Sequence, residues 1–266
     1  MRSGVVKVVG LAGVVVLAAC GQPAGAPAGP ASVELRLIDG IRTDPDHRGL
    51  VVSYTGGACD GPARLVLTEG KTRIRARVMV RQDARREVCA AVGISRTVRA
   101  RLAQPIGDRK VWVSGRRYVP FDGARLLVPS ALPSGFGRRS ETGLSAESAS
   151  TPATPVVTTT WVTSFNSDPS APTGETCPAA EGSLDVRIGP ADGYQPHGRT
   201  KIGTVRIGTA SADLYRDGTA KRPTSLAYIW TDRRGRVEVD NTVGCMGDRL
   251  LSKAALLRVA ESLRQA

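Results

Sequence analysis

Five cysteines and two histidines are the residues in this chain best suited to nucleophilic, redox or metal chemistry. Cys20, Cys59, Cys89, Cys177 and Cys245 include no close Cys-x-x-Cys pair, and His47 and His197 lie in distant regions, so no zinc site is expected. No Gly-x-Ser-x-Gly, Ser-x-x-Lys or His-Glu-x-x-His occurs. A Ser-His-Asp or Cys-His site can be assembled from distant segments, but two isolated histidines give it little material. Gly70-Lys71-Thr72 has the ending of a phosphate-binding loop, yet the glycine required earlier falls at Leu65, so the segment reads as a hairpin turn. Asp44-Pro45-Asp46-His47-Arg48-Gly49 begins like a calcium loop, with Arg48 at the fifth position and Thr55 at the twelfth, where Glu is needed. These readings assign no catalytic residue, no metal ligand and no cofactor.

Arginine carries the stronger signal. The formal net charge is +13, with a pI near 10.2, and the excess is uneven. Residues 32–130 hold 19 basic and 10 acidic residues, whereas 131–266 hold 16 and 14. Arg73, Arg75 and Arg77 alternate with Ile74, Ala76 and Val78, and Arg99 and Arg101 alternate with Val98, Ala100 and Leu102. Side chains two apart on a strand share a face, so burying the apolar set turns these arginines toward water. If the two strands are neighbours, the five guanidinium groups form one anion-binding face, suited to phosphate or carboxylate on polymers or lipid headgroups. The 31 Arg to 6 Lys also fit a GC-rich coding bias that writes Arg at solvated positions. That bias does not explain why acids fail to match bases in one half only. Nucleic acid is not expected as a partner, because the first half offers only Tyr54, Trp112, Tyr118 and Phe121 as aromatic platforms.

The amino terminus supplies an address. Arg2 and Lys7 precede the apolar run from Val8 to Leu17, which ends at the small pair Ala18-Ala19. This is the order of a signal peptide over 1–19, and its apolar part is too short to span a bilayer as a mature helix. Leu17-Ala18-Ala19-Cys20 resembles the lipobox of bacterial lipoproteins. The resemblance implies cleavage before Cys20 and diacylglyceryl transfer to its thiol, placing the mature protein on the extracytoplasmic face of the cell membrane. The alternative is an ordinary secreted protein in which Cys20 is incidental. Residues 21–31 are small and uncharged and read as a tether reaching at most about 35 Å.

With Cys20 taken by lipid, four cysteines remain for an oxidising compartment, an even number that suggests disulfides. Pairing Cys59 with Cys89 and Cys177 with Cys245 keeps each bond within one half of the chain. In the chain-entropy model each closure contributes about 4 kcal/mol.

The elements that would position these groups are mostly strands. Residues 32–118 show alternating runs and Gly-containing turns without helical periodicity, and predict a small antiparallel β-sandwich or barrel. Residues 119–266 predict an antiparallel sheet packed by one C-terminal helix, capped by Ser252, with Leu256, Val259, Ala260 and Leu263 on its apolar face. Residues 140–155, rich in Ser, Thr, Ala and Pro, are expected to be a mobile insertion. The clearest hairpin joins Leu226–Thr231 to Arg236–Val239. Trp161, Trp230, Tyr215 and Tyr228 are expected in the core rather than in a ligand groove. Leu132-Pro133-Ser134-Gly135-Phe136, the strands that follow, Trp230, Gly235, Leu251-Ser252 and the terminal Ala260-Glu261-Ser262-Leu263 resemble an uncharacterised extracytoplasmic domain of bacterial envelope proteins. That resemblance covers roughly the last half of the chain and implies no activity.

The functional expectation is a membrane-anchored, non-enzymatic envelope lipoprotein that binds a partner protein, an anionic polymer or lipid headgroups. A cell-wall hydrolase with scattered site residues and a carrier of a lipid or other apolar ligand are the alternatives.

Overall fold

The computed structural model of the 266-residue chain describes residues 32–35, 37–82, 93–148, 156–167, 182–191, 198–243 and 250–266. The signal segment, Cys20, the tether, Cys89, Cys177, Cys245, His197 and residues 149–155 lie outside the described residues. Among the described residues the protein is mainly β, with one α-helix. Among the described residues, no helix is long and apolar enough to cross a membrane.

The first half contributes β1 (Ser32–Leu35), β2 (Gly40–Thr43), β3 (Gly49–Gly57), β4 (Asp60–Glu69), β5 (Arg73–Gln82), β6 (Gly93–Arg101), β7 (Lys110–Val113) and β8 (Arg116–Val119). Strands β4 and β5 form the hairpin expected around Gly70, and β5 also pairs with β1 and, in parallel, with β7. Strands β2, β3 and β6 make a separate three-stranded sheet. Period-two patterning decides which faces meet. Ile74, Ala76, Val78 and Val80 of β5 are at most 1% exposed, and they pack with Ile41, Leu50, Val52 and Tyr54 from the smaller sheet. The two sheets therefore enclose one core with their apolar faces.

A 3-10 turn at Gly123–Arg125 leads to β9 (Leu127–Pro129), β10 (Phe136–Ser148) and β11 (Val156–Ser167). Residues 140–148 are strand, not a mobile insertion, and pair with β11 from Ser140↔Ser164 to Ser148↔Val156. Their hydroxyls bind neighbouring strands: Ser145 Oγ donates to Asp39 O at 2.5 Å, and Thr142 Oγ1 lies 3.0 Å from Ser53 Oγ. Strands β12 (Ser183–Gly189), β13 (Thr200–Ile207), β14 (Ala210–Gly218), β15 (Pro223–Asp232) and β16 (Gly235–Thr242) complete a 12-stranded sheet. The β15–β16 hairpin closes at Asp232↔Gly235, with Gly235 at φ 112° and Asp232 Oδ1 accepting from Arg234 N. This turn requires glycine, because positive φ strains other residues.

The second core is formed by Trp161, Leu184, Val186, Ile188, Tyr228, Trp230, Val237 and Val239 under α1 (Lys253–Glu261). Ser252 Oγ caps α1 by accepting from Ala255 N, and Leu256, Val259 and Ala260 are buried. Leu263 does not extend that face. The helix stops at Glu261, and Leu263–Gln265 forms a short strand, β17, against β9.

Antiparallel order is broken in two places. β5 pairs in parallel with β7, and β8 pairs in parallel with the first residues of β11, while β12 takes the remainder of β11. Val157 of β11 accordingly faces the first core and Trp161 the second. The small sheet is held against β10 at a glycine contact, where a Cβ on Gly143 would lie 2.5 Å from Gly40 Cα. Gly143→Ala is expected to destabilise the protein by about 1–3 kcal/mol. Gly137→Ala in the same strand, where an added Cβ meets nothing within 4 Å, should shift stability by less than about 0.5 kcal/mol. Urea midpoints of the two variants distinguish a steric crossing from a general intolerance of β10.

Candidate anion-binding face

The five arginines singled out from the sequence do not share a surface. Arg73, Arg75 and Arg77 project from the outer face of the large sheet, opposite the buried Ile74, Ala76 and Val78. Strand β6 pairs with β3 instead of β5, so Arg99 and Arg101 lie on another layer, on the face of the small sheet that carries Val51 and Ser53. A strand's alternation fixes which face a residue occupies, not which strand lies beside it.

Around Arg73, Arg75 and Arg77 the pairing register gathers more cations. Lys110 is paired with Arg73, Trp112 with Arg75, and Arg117 with Trp112. Arg64 stands opposite Met79, and Arg81 continues the β5 row. Neighbours on this face are spaced roughly 4.8 Å across strands and 6.7 Å along them. No hydrogen bond or ion pair among the described residues engages the side chains of Arg64, Arg73, Arg75, Arg77, Arg81, Lys110 or Arg117. A shallow trough of about 570 Å³ runs along the row, with half-buried Trp112, Thr68 and Ser114 in its lining and Glu34 as the carboxylate at its border. The arrangement can hold phosphate or carboxylate groups by forked guanidinium contacts beside one aromatic ring.

The opposite situation holds in a cleft of about 720 Å³ between the small sheet and β10. Here the charges are neutralised. Arg42, only 6% exposed, lies over the Trp161 ring at 5.1 Å and donates from Nε and Nη2 to Glu141 Oε2 at 3.1 and 2.9 Å. Its Nη1 donates to Asp44 Oδ1 at 3.1 Å, and Trp161 Nε1 donates to Glu141 Oε2 at 3.2 Å. Burial works against the charge of Glu141, but the charge and hydrogen bonds of Arg42, with help from Arg139 and Trp161, hold its carboxyl below the ordinary glutamate range. Arg99 pairs with Asp44 at 3.2 Å and Arg101 with Asp46 at 3.4 Å. Asp46 Oδ1 also accepts from Arg48 N, the main cause of its lowered pKa. Asp44 and Asp46 are thus committed to arginines rather than arranged as a calcium loop.

A third charged group was not singled out from the sequence. Arg187 bonds Asp185, Glu238 and Asp240 at 2.8, 2.7 and 3.2 Å, and Arg199 bonds Asp217, Glu238 and Asp240 at 3.2, 2.8 and 2.9 Å. Burial opposes the charge on both arginines, yet the surrounding carboxylates raise their pKa values. Asp240 is driven the other way: burial pushes its carboxyl up against the pull of Arg199 and Arg187. The group binds β12, β14 and β16 to the entry of β13. Its signal was the cross-strand match of Arg187 with Glu238, which becomes visible only once the register is known.

Among the described residues, no group of three or more His, Cys, Asp or Glu is placed to hold a metal ion. His47 Nδ1 lies 3.9 Å from Asp122 Oδ1 with both side chains substantially exposed. Cys59, half-buried in the turn between β3 and β4, is engaged. Trp161, Trp230 and Tyr228 are core residues. No protein-family profile, curated protein or solved structure matches this chain.

Because the folded-state pKa of Glu141 is depressed, its ion pair contributes fully above 4.5, the ordinary glutamate value, and is lost as pH falls through the lower folded value. Glu141→Gln, which leaves a buried guanidinium short of one counter-charge, is expected to cost about 3 kcal/mol at neutral pH. The gap between variant and parent should narrow as the pH is lowered through 4.5. Denaturant unfolding at a series of pH values measures both effects.

Proposed function

We propose that this chain is a lipid-anchored extracytoplasmic binding protein without enzymatic activity, whose working surface is the outer face of β4, β5, β7 and β8 and whose ligands are anionic. One contrast carries the reading. Arg42, Arg99 and Arg101 of the small sheet are matched by carboxylates, whereas the arginines of the outer face have none within bonding distance among the described residues. Unpaired guanidinium groups crowded on one face repel one another, and an anionic partner relieves that repulsion. An envelope protein, a cell-wall polymer or a lipid headgroup offers the required phosphate or carboxylate.

Export supports the same reading. The signal segment and Cys20 give the address, and the engaged Cys59 suits an oxidising compartment. Cys89 is proposed as its disulfide partner. Gly57 pairs with Gly93 and Asp60 with Gln82, so the segment containing Cys89 begins and ends beside the Cys59 turn. Cys177 and Cys245 are proposed as the second pair.

Labelled palmitate is expected to enter the wild-type protein and to be absent from Cys20→Ala. Denatured, unreduced mature protein should show no maleimide-reactive thiol. Label in the alanine variant would remove the anchor, and reactive thiol in the mature chain would remove the disulfides.

A further inference from the structure

We infer that the basic outer face docks on the anionic surface of the same membrane that holds the anchor, with its guanidinium groups bound to phospholipid headgroup phosphates. The inference rests on the proposed extracytoplasmic anchor for its location only. The first observation is where the chain enters the fold. Ser32, where the described fold begins, is the register partner of Arg81, and Glu34 of the same strand borders the trough. The segment between Cys20 and Ser32 therefore meets the fold on the margin of the basic face, and its roughly 35 Å reach keeps that face near the bilayer.

The second observation is composition. Trp112 is half-buried in the middle of the cations, and Val119 is 46% exposed at the end of β8, beside Arg117. An indole ring and an aliphatic side chain set among arginines suit the headgroup boundary, where an aromatic ring is apolar on one side and hydrated on the other. The third observation is polarity. The small sheet on the other side of the first core has Arg42, Arg99 and Arg101 matched by Asp44, Asp46 and Glu141, so among the described residues the crowd of arginines without a carboxylate partner lies on the outer face of the large sheet. A membrane surface is a broad anionic plane, and a sheet face with a shallow trough is the matching shape. Nucleic acid and soluble polyanions share the phosphate chemistry but not the link between face and anchor.

The test uses residues 21–266, which contain every described contact and carry no lipid, in co-sedimentation with vesicles of phosphatidylglycerol and phosphatidylcholine or of phosphatidylcholine alone. Binding is expected only to the anionic vesicles, and added salt should weaken it. Arg73→Gln, Arg75→Gln and Arg77→Gln together should reduce partitioning about 100-fold, at about fivefold per arginine less what salt screens. Arg99→Gln with Arg101→Gln should change it by less than about twofold, and circular dichroism checks that each variant is folded. Equal binding by the triple variant and the parent overturns the proposal. So does binding to inorganic phosphate, polyphosphate or single-stranded DNA without binding to anionic vesicles. Because the protein tested lacks Cys20, failure here leaves the anchor standing, and loss of the anchor would leave a positive vesicle result standing.

Discussion

A buried guanidinium determines how the two halves of this protein meet. Arg42 leaves β2, crosses the Trp161 ring on β11 and ends on Glu141 of β10, so three strands from two sheets converge on one side chain. Desolvating a charge this fully is unfavourable unless its hydrogen bonds are met. Here they are met by Glu141, Asp44 and the carbonyl of Thr43. The glycine crossing lies at the same junction: Gly40 and Gly143, each two residues from a member of the Arg42–Glu141 pair, bring β2 and β10 to backbone contact.

The lock also separates two uses of arginine in a chain with many of them. On the junction side, arginines are structural: Arg42 is buried, and Arg42, Arg99, Arg101 and Arg139 are each paired with a carboxylate. On the outer face they are left to solvent. Net charge alone does not distinguish these uses. The difference lies in whether the fold delivers a carboxylate to each guanidinium.

Local pattern made the faces of individual strands legible, but not their neighbours. Ile74, Ala76, Val78 and Val80 alternate because one face of β5 is buried, and the β15–β16 hairpin was visible because its turn and both strands are contiguous. Pairing between distant segments leaves no local trace, so β6 could not be assigned to β3, nor the parallel β5–β7 and β8–β11 contacts foreseen. Residues 140–148 resembled a loop in composition, yet Ser and Thr serve well in a strand when their hydroxyls reach adjacent backbone, as Ser145 does with Asp39. The charges of β12 and β16 were hidden for a related reason. Asp185 and Arg187 occupy positions that alternation assigns to solvent, but the neighbouring strand brings Glu238 and Asp240 onto Arg187, which also pairs with Asp185. Of the basic outer face, three arginines were readable, while Arg64, Arg81, Lys110, Arg117 and Trp112 joined it only through register.

Strand β11 is shared property. Its first residues complete the sheet over one core and its later residues begin the sheet over the other, so neither hydrophobic interior is closed without it. Heat or denaturant that loosens one interior strips a wall from the other, and the chain should lose its order in a single cooperative event. The folded chain would then offer no half-folded intermediate to passing proteases.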